Sequence, residues 1–161
     1  MLCFNCALFA QQKTEQPNIL FKAVVDLRPE LGCYGNKTVK SPNLDKLGSE
    51  GVIFNNHFVQ VPTCGASRCS LITGMRPRNK MQLQNNVIEL EISNNKENKK
   101  RPESFIHQLR RYGYYTVGIG KITHSPDGLI YGYNEKPSNK RELPFSWDEL
   151  VFDSGLWGTG W

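Results

Sequence analysis

The five cysteines are odd in number and lack the two Cys-x-x-Cys pairs of a zinc ribbon. That pattern argues against both a disulfide framework and a structural zinc site. No run of basic residues interleaves with aromatics. Lys99, Lys100 and Arg101 stand together in a polar stretch, without the aromatic partners that mark a nucleic-acid surface. The net charge of +5 and pI near 9.0 favour anionic partners without naming one. The apolar N-terminal run stops at Ala10, too short to cross a bilayer, and no Lys or Arg precedes it. Residues 1–10 read equally as the remnant of a secretory signal peptide cut after Ala10, or as a first strand. There is no internal repeat. What is present, 39% hydrophobic and 22% charged residues, is the profile of one soluble domain.

The chemistry-bearing stretch is residues 61–77, a Cys-containing loop that runs into a helix. Gly65, Ala66 and Ser67 let the backbone turn tightly behind Cys64. A nucleophile at a helix start meets unpaired N–H donors and about half a positive charge, which suits an anionic substrate. Arg68, one turn on, adds a planar fork for sulfate or phosphate oxygens.

Around this stretch the pattern predicts alternating strands and helices. Residues 18–29 read as an apolar strand, 19–25, ending in a polar loop with Asp26 and Arg28; ligands of parallel sheets collect at such strand ends. Lys22 is unusual inside it. Ser41 and Pro42 mark a helix start, Leu44 and Leu47 its buried face, and Gly51 its stop. Residues 52–58 read as a second strand containing His57. Cys33 and Cys69 read as packed thiols rather than ligands. Residues 82–101, rich in Asn, Lys and Glu, read as a polar surface loop. Phe105, Ile106, Leu109 and Tyr112 fall at helical spacing before Gly113, with His107 off that face and exposed, and residues 114–119 read as a third strand. Lys121 and His124 follow its carboxyl end. Residues 125–161 carry Pro, Gly and aromatics, as a substrate loop or as packing.

Cys64, Ala66, Ser67, Arg68, Leu71, Thr73, Gly74 and Arg76 together resemble the signature of the sulfatase family. Asp26-Leu27-Arg28-Pro29, Gly32-Cys33-Tyr34-Gly35 and Gly120-Lys121-x-x-His124 narrow the resemblance to its iduronate-2-sulfatase-like branch. It covers residues 18–161, the first part of the family's catalytic domain. The resemblance implies an α/β fold, a mostly parallel sheet flanked by helices of the alkaline-phosphatase kind, incomplete here. It implies hydrolysis of sulfate esters, on a sulfated uronate or related glycan, in the periplasm or outside the cell. In the family a modifying enzyme oxidises the Cys64 position to formylglycine, whose hydrate attacks sulfur. A divalent cation, calcium by expectation, would be held by Asp26 and residue 64. Lys121 would touch a sulfate oxygen and His124 would act near the leaving oxygen. The family places a second Asp where Val25 stands, so one carboxylate ligand is missing and calcium affinity should be low. Two alternatives stay open: a truncated remnant that at most binds sulfated glycans, and a phosphoryl-transfer enzyme, which would carry Thr or Ser at position 64. Three strands apolar enough to be interior would leave faces uncovered in this chain, so it is expected to fold poorly and to lack turnover alone.

Overall fold

A computed structural model describes residues 16–93, 102–125, 127–130, 136 and 138–151. Residues 1–10, the signal-like run, and Trp157 and Trp161 lie outside them. The architecture is α/β: helices around a small parallel sheet.

The first helix, α1 (Pro42–Glu50), begins where the Ser-Pro signal predicts. Ser41 does not cap the helix's own amides, however. Its Oγ accepts the Gly32 N–H (2.9 Å) and donates to Asp45 Oδ1 (2.9 Å), which also accepts the Cys33 N–H (2.7 Å). These bonds fasten α1 to a 3-10 turn, Gly32–Tyr34. A Cβ at Gly32 would sit 2.4 Å from Asp45 Oδ2, so the turn requires glycine. Leu44 and Leu47 are not a buried face, being 40% and 65% exposed. Among the described residues the one helix, turn or strand α1 packs against is that 3-10 turn, with Ile53 lying against Gly48.

The strands expected at 19–25 and 52–58 do not form. A strand exists only through its ladder, and among the described residues no neighbour supplies one to either segment. His57 accordingly lies in an exposed non-strand segment, near the ring of Phe54. The third expected strand does form, as β1 (Val117–Ile119). It pairs in parallel with β2 (Glu149–Val151), Val117 opposite Glu149 and Ile119 opposite Val151. β2 was not anticipated, because its partner lies some thirty residues away and its own sequence is only three residues long.

Three further helices build the core: α2 (Cys64–Thr73), α3 (Val87–Glu91) and α4 (Phe105–Arg111). Val61, Ala66, Ile72, Val87, Ile88, Ile92, Ile106, Leu143 and Trp147 bury together. Residues 82–101 are therefore not simply a polar loop. A 3-10 turn ends at Leu83, and α3 puts Val87 and Ile88 wholly into the core, where polar neighbours had masked two adjacent apolar positions. Residues 94–101 lie outside the described part.

α4 follows the predicted spacing and is capped by Ser104, whose Oγ accepts the His107 N–H (2.9 Å). His107 is buried, not exposed. Its Nδ1 lies 3.3 Å from Glu103 Oε2 and its ring tilts against Phe145, so the face taken as outward is covered from residues 145–147. Arg110 Nε donates to Asp148 Oδ1 (2.8 Å), and Asp148 Oδ2 accepts the Thr116 N–H (2.8 Å). This network joins α4 to the starts of β1 and β2. Gly118 then passes beneath Trp147, where a Cβ would lie 2.8 Å from Leu150 and 3.1 Å from the indole. β1 is thereby aimed so that its carboxyl end delivers residues 120–124 toward α2.

Candidate active site

Cys64 is the first residue of α2 and is partly buried. The residue before it, Thr63, has extended backbone and makes no side-chain cap. The cap comes instead from Asn85, twenty residues on, whose Oδ1 accepts the Gly65 N–H at 2.9 Å. Asn85 also closes on Gly65 with its main chain: a Cβ there would lie 2.0 Å from the Asn85 carbonyl oxygen. No side chain fits at that distance, so the Gly after Cys64 is a steric requirement of the helix start. α2 ends at Gly74, which at φ 66° takes the left-handed position and returns its N–H to the Ser70 carbonyl.

Arg68 joins the two motifs. Its Nε donates to Cys64 Sγ (3.3 Å), and Nη1 donates to the carbonyls of Lys121 (3.0 Å) and Ile122 (2.9 Å). The fork expected to lie open for an anion is thus partly committed to fixing the loop after β1. Among the described residues none accepts from Nη2, which is the edge left for a ligand oxygen.

His124 shares this field. Its pKa is lowered from 6.5, first by burial and then by the charges of Lys121 and Arg68, so it stands as a neutral imidazole at neutral pH. Arg68, bonded to Cys64 and to the loop that carries Lys121 and His124, therefore brings a sulfur at a helix start, two cations and a neutral imidazole into one neighbourhood. That arrangement can neutralise an anion and move a proton.

The loop carrying Lys121 and His124 is held from outside by Glu142, which is 4% exposed. Its Oε2 accepts the Ser125 N–H (3.1 Å), and the Thr123 and Ser125 hydroxyls lie near enough to favour the charged carboxylate. Burial is the main cause of a raised Glu142 pKa, against which these donors act.

Asn85 and Glu142 were both missed from sequence. Each sits in a run of polar or charged residues with no local signal, and each acts through partners far along the chain.

The other thiols behave as packed groups. Cys69 lies against the core, and burial pushes its thiol up to about 11. It borders a hollow behind α2, with Thr73, Met75, Val87 and Pro102, that does not include Cys64. Cys33 is partly buried against α1, its Cβ 3.1 Å from where a Cβ of Gly48 would stand.

Asp26 is placed differently. It is exposed, with φ at 57°, a left-handed backbone that Asp tolerates better than most residues. No hydrogen bond or ion pair among the described residues links it to Cys64. Among the described residues no three His, Cys, Asp or Glu side chains gather closely enough to hold a metal ion. Calcium wants six or more oxygens, and Val25 adds none from its side chain. The described residues thus do not by themselves fit the expected cation. Among them, too, no helix is long and apolar enough to cross a membrane.

Comparison with known proteins gives a consistent answer. The profile of the sulfatase family matches residues 17–147. Iduronate 2-sulfatase of Mus musculus is 38% identical over 147 residues, covering 91% of this chain and 24% of that protein. The Homo sapiens iduronate 2-sulfatase is 35% identical, over 86% of this chain and 22% of its own length. A sulfatase of Formosa agariphila is 31% identical, over 86% of this chain and 28% of that protein. The chain thus spans about a quarter of the length of these relatives. No solved structure matches it. With the family profile spanning most of its residues, the chain belongs to the sulfatase family.

Proposed function

We infer that this chain carries the nucleophile-bearing part of a sulfuric ester hydrolase acting on a sulfated uronate or related glycan. The observation that carries the reading is Arg68, which bonds Cys64 Sγ with one nitrogen and the backbone of Lys121 and Ile122 with another. Sulfate-ester hydrolysis follows from the family, and the uronate from likeness to the iduronate 2-sulfatases. A location in the periplasm or outside the cell goes with such a substrate.

Oxidised to formylglycine, residue 64 would supply a hydrated aldehyde, the oxygen nucleophile that a thiol cannot replace. The partly buried start of α2 suits that group, since the helix end favours developing negative charge beside it. Arg68 orients residue 64 and presents its Nη2 edge to a sulfate oxygen. Lys121 adds a second cation, which lowers the cost of charge gathering on the non-bridging oxygens. His124, neutral at pH 7, can take or return a proton at the leaving oxygen. No step is drawn through calcium, because Asp26 and residue 64 alone do not make its site.

The test is co-expression of the full chain with a formylglycine-generating enzyme, followed by peptide mass analysis and an aryl-sulfate assay. Conversion at Cys64, and not at Cys33 or Cys69, is expected. An intact Cys64 thiol beside a converted control substrate would sink the reading. Val25 favours a second reading, a chain that binds sulfated oligosaccharide without turning it over. Calorimetric binding without aryl-sulfate hydrolysis, from a chain converted at Cys64, would decide for it.

A further inference from the structure

Glu142 is a buried ionisable group with no part in the chemistry above, and it costs the fold something to keep it there. Its partners explain why it stays. The carboxylate accepts the Ser125 N–H on one side of His124 (3.1 Å), and the Thr123 hydroxyl on the other side lies near enough to favour its charged form. Thr123 is 2% exposed, and its buried Oγ1 donates to the Ser125 carbonyl (3.5 Å), which ties the two sides of His124 to each other.

The main chain of Glu142 is fixed as firmly. Its N–H donates to the Gly128 carbonyl (2.9 Å) and its carbonyl accepts from Ser93 Oγ (2.5 Å). Beside it, Leu129 and Arg141 form an antiparallel bridge. The charged group facing the carboxylate from α3 is Glu89, which adds repulsion rather than a counter-ion. Among the described residues no cation bonds to Glu142, whereas the Ser125 N–H beside His124 does.

We propose that Glu142 is the positioning residue of His124, a buried clamp that grips the residue on each side of the histidine and holds the imidazole between Lys121 and Arg68. The proposal rests on His124 being a site residue, and it concerns placement alone. Glu142 touches neither substrate nor reacting atoms. With the clamp removed, the Ser125 N–H loses its acceptor, the turn at residues 123–125 relaxes toward solvent, and His124 leaves both its partly buried setting and the two cations.

The experiment is an NMR titration of the histidine C2–H signals in the full chain, with buried His107 as internal reference. In the wild type, His124 should titrate below 6.5. In Glu142→Ala it should move up toward 6.5 while His107 stays in place, and Glu142→Gln, which keeps an acceptor oxygen, should restore most of the wild-type value. Thr123→Val removes one donor at nearly constant shape and should produce a smaller upward move. That variant keeps the proposal open to refutation should Glu142→Ala fail to fold. A His124 titration that coincides with wild type in any folded Ala or Val variant would overturn the clamp. A merely structural role would shift His107 or the melting point without singling out His124. None of these signals needs sulfate turnover or conversion of Cys64, so failure of the functional reading would leave this result standing.

Discussion

Residues 16–60 and the part beyond them are similarly apolar in sequence but differ in what the fold does with them. No residue from 16 to 60 is fully buried: Leu20, Val52 and Phe58 are each close to four-fifths exposed. Beyond residue 60, short helices interleaved with polar stretches bury Ala66 and Ile88 completely. The difference is in partners, not in hydrophobicity. Burial of apolar area contributes roughly 25 cal/mol per Å², but only where another surface arrives to exclude water. α2, α3 and α4 supply such surfaces to one another, while α1 and the segments around it meet little besides a 3-10 turn.

The sharpest way to break this contrast is a pair of truncations. Ile88→Ala should cost about 2–5 kcal/mol in denaturant unfolding, because the site is closed and a cavity remains. Val52→Ala should stay within about 0.5 kcal/mol, as exposed substitutions usually do. Equal losses would mean that Val52 is covered after all.

Next in size is the start of α2. Gly65→Ala must displace the Asn85 carbonyl and should destabilise by about 1–3 kcal/mol. Asn85→Ala, which only removes the cap, should cost about 1 kcal/mol. Thermal melts of the two variants give the order, and a harmless Gly65→Ala would show that residues 84–86 yield easily.

A smaller effect lies in pH. The Glu142 pKa is raised in the folded state from 4.5, so the folded protein holds that proton longer than the unfolded chain. Its contribution is therefore most favourable at low pH and is lost as pH rises from 4.5 through the folded value. The difference in melting temperature between wild type and Glu142→Gln should shift against the wild type over that interval, and a flat difference would contradict it. His124 has the opposite sign. Its folded value lies below 6.5, so the unfolded chain protonates first and stability falls as pH drops below 6.5.

The smallest expected change concerns calcium. Calorimetry should find weak binding at most in the wild type, and Val25→Asp should strengthen it by adding a carboxylate beside Asp26. Tight wild-type binding that this substitution leaves unchanged would show that the segment around Asp26 has been misread.

What was legible in the sequence follows the same division. Features set within a few residues were read correctly: the Ser41-Pro42 helix start, the α4 spacing with Gly113 after it and the strand before Lys121. Each has a local cause, in a fixed φ, a left-handed glycine or a 3.6-residue period. Features that need a distant partner were not legible. The segments 19–25 and 52–58 have strand composition, but composition cannot supply a neighbouring ladder. Val87 and Ile88 are two apolar residues in a polar run, and only α2 and α4 make them core. The candidate site residues Cys64, Arg68, Lys121 and His124 could be proposed from motif spacing. That Arg68 would bond the loop carrying Lys121, and that Glu142 would grip the turn around His124, depended on tertiary placement.

The Arg68 bridge also sets a clock. Its backbone acceptors lie 53 and 54 residues further along the chain, at Lys121 and Ile122. A ribosome adding about 5–20 residues per second needs roughly 3–10 s to make that length. Over that interval the segment carrying Cys64 runs ahead of the anchor that fixes its helix to β1. Any enzyme that must reach Cys64 in an extended chain works against that delay, and a synonymous change that alters translation speed between residues 68 and 121 would alter how much of the protein it reaches.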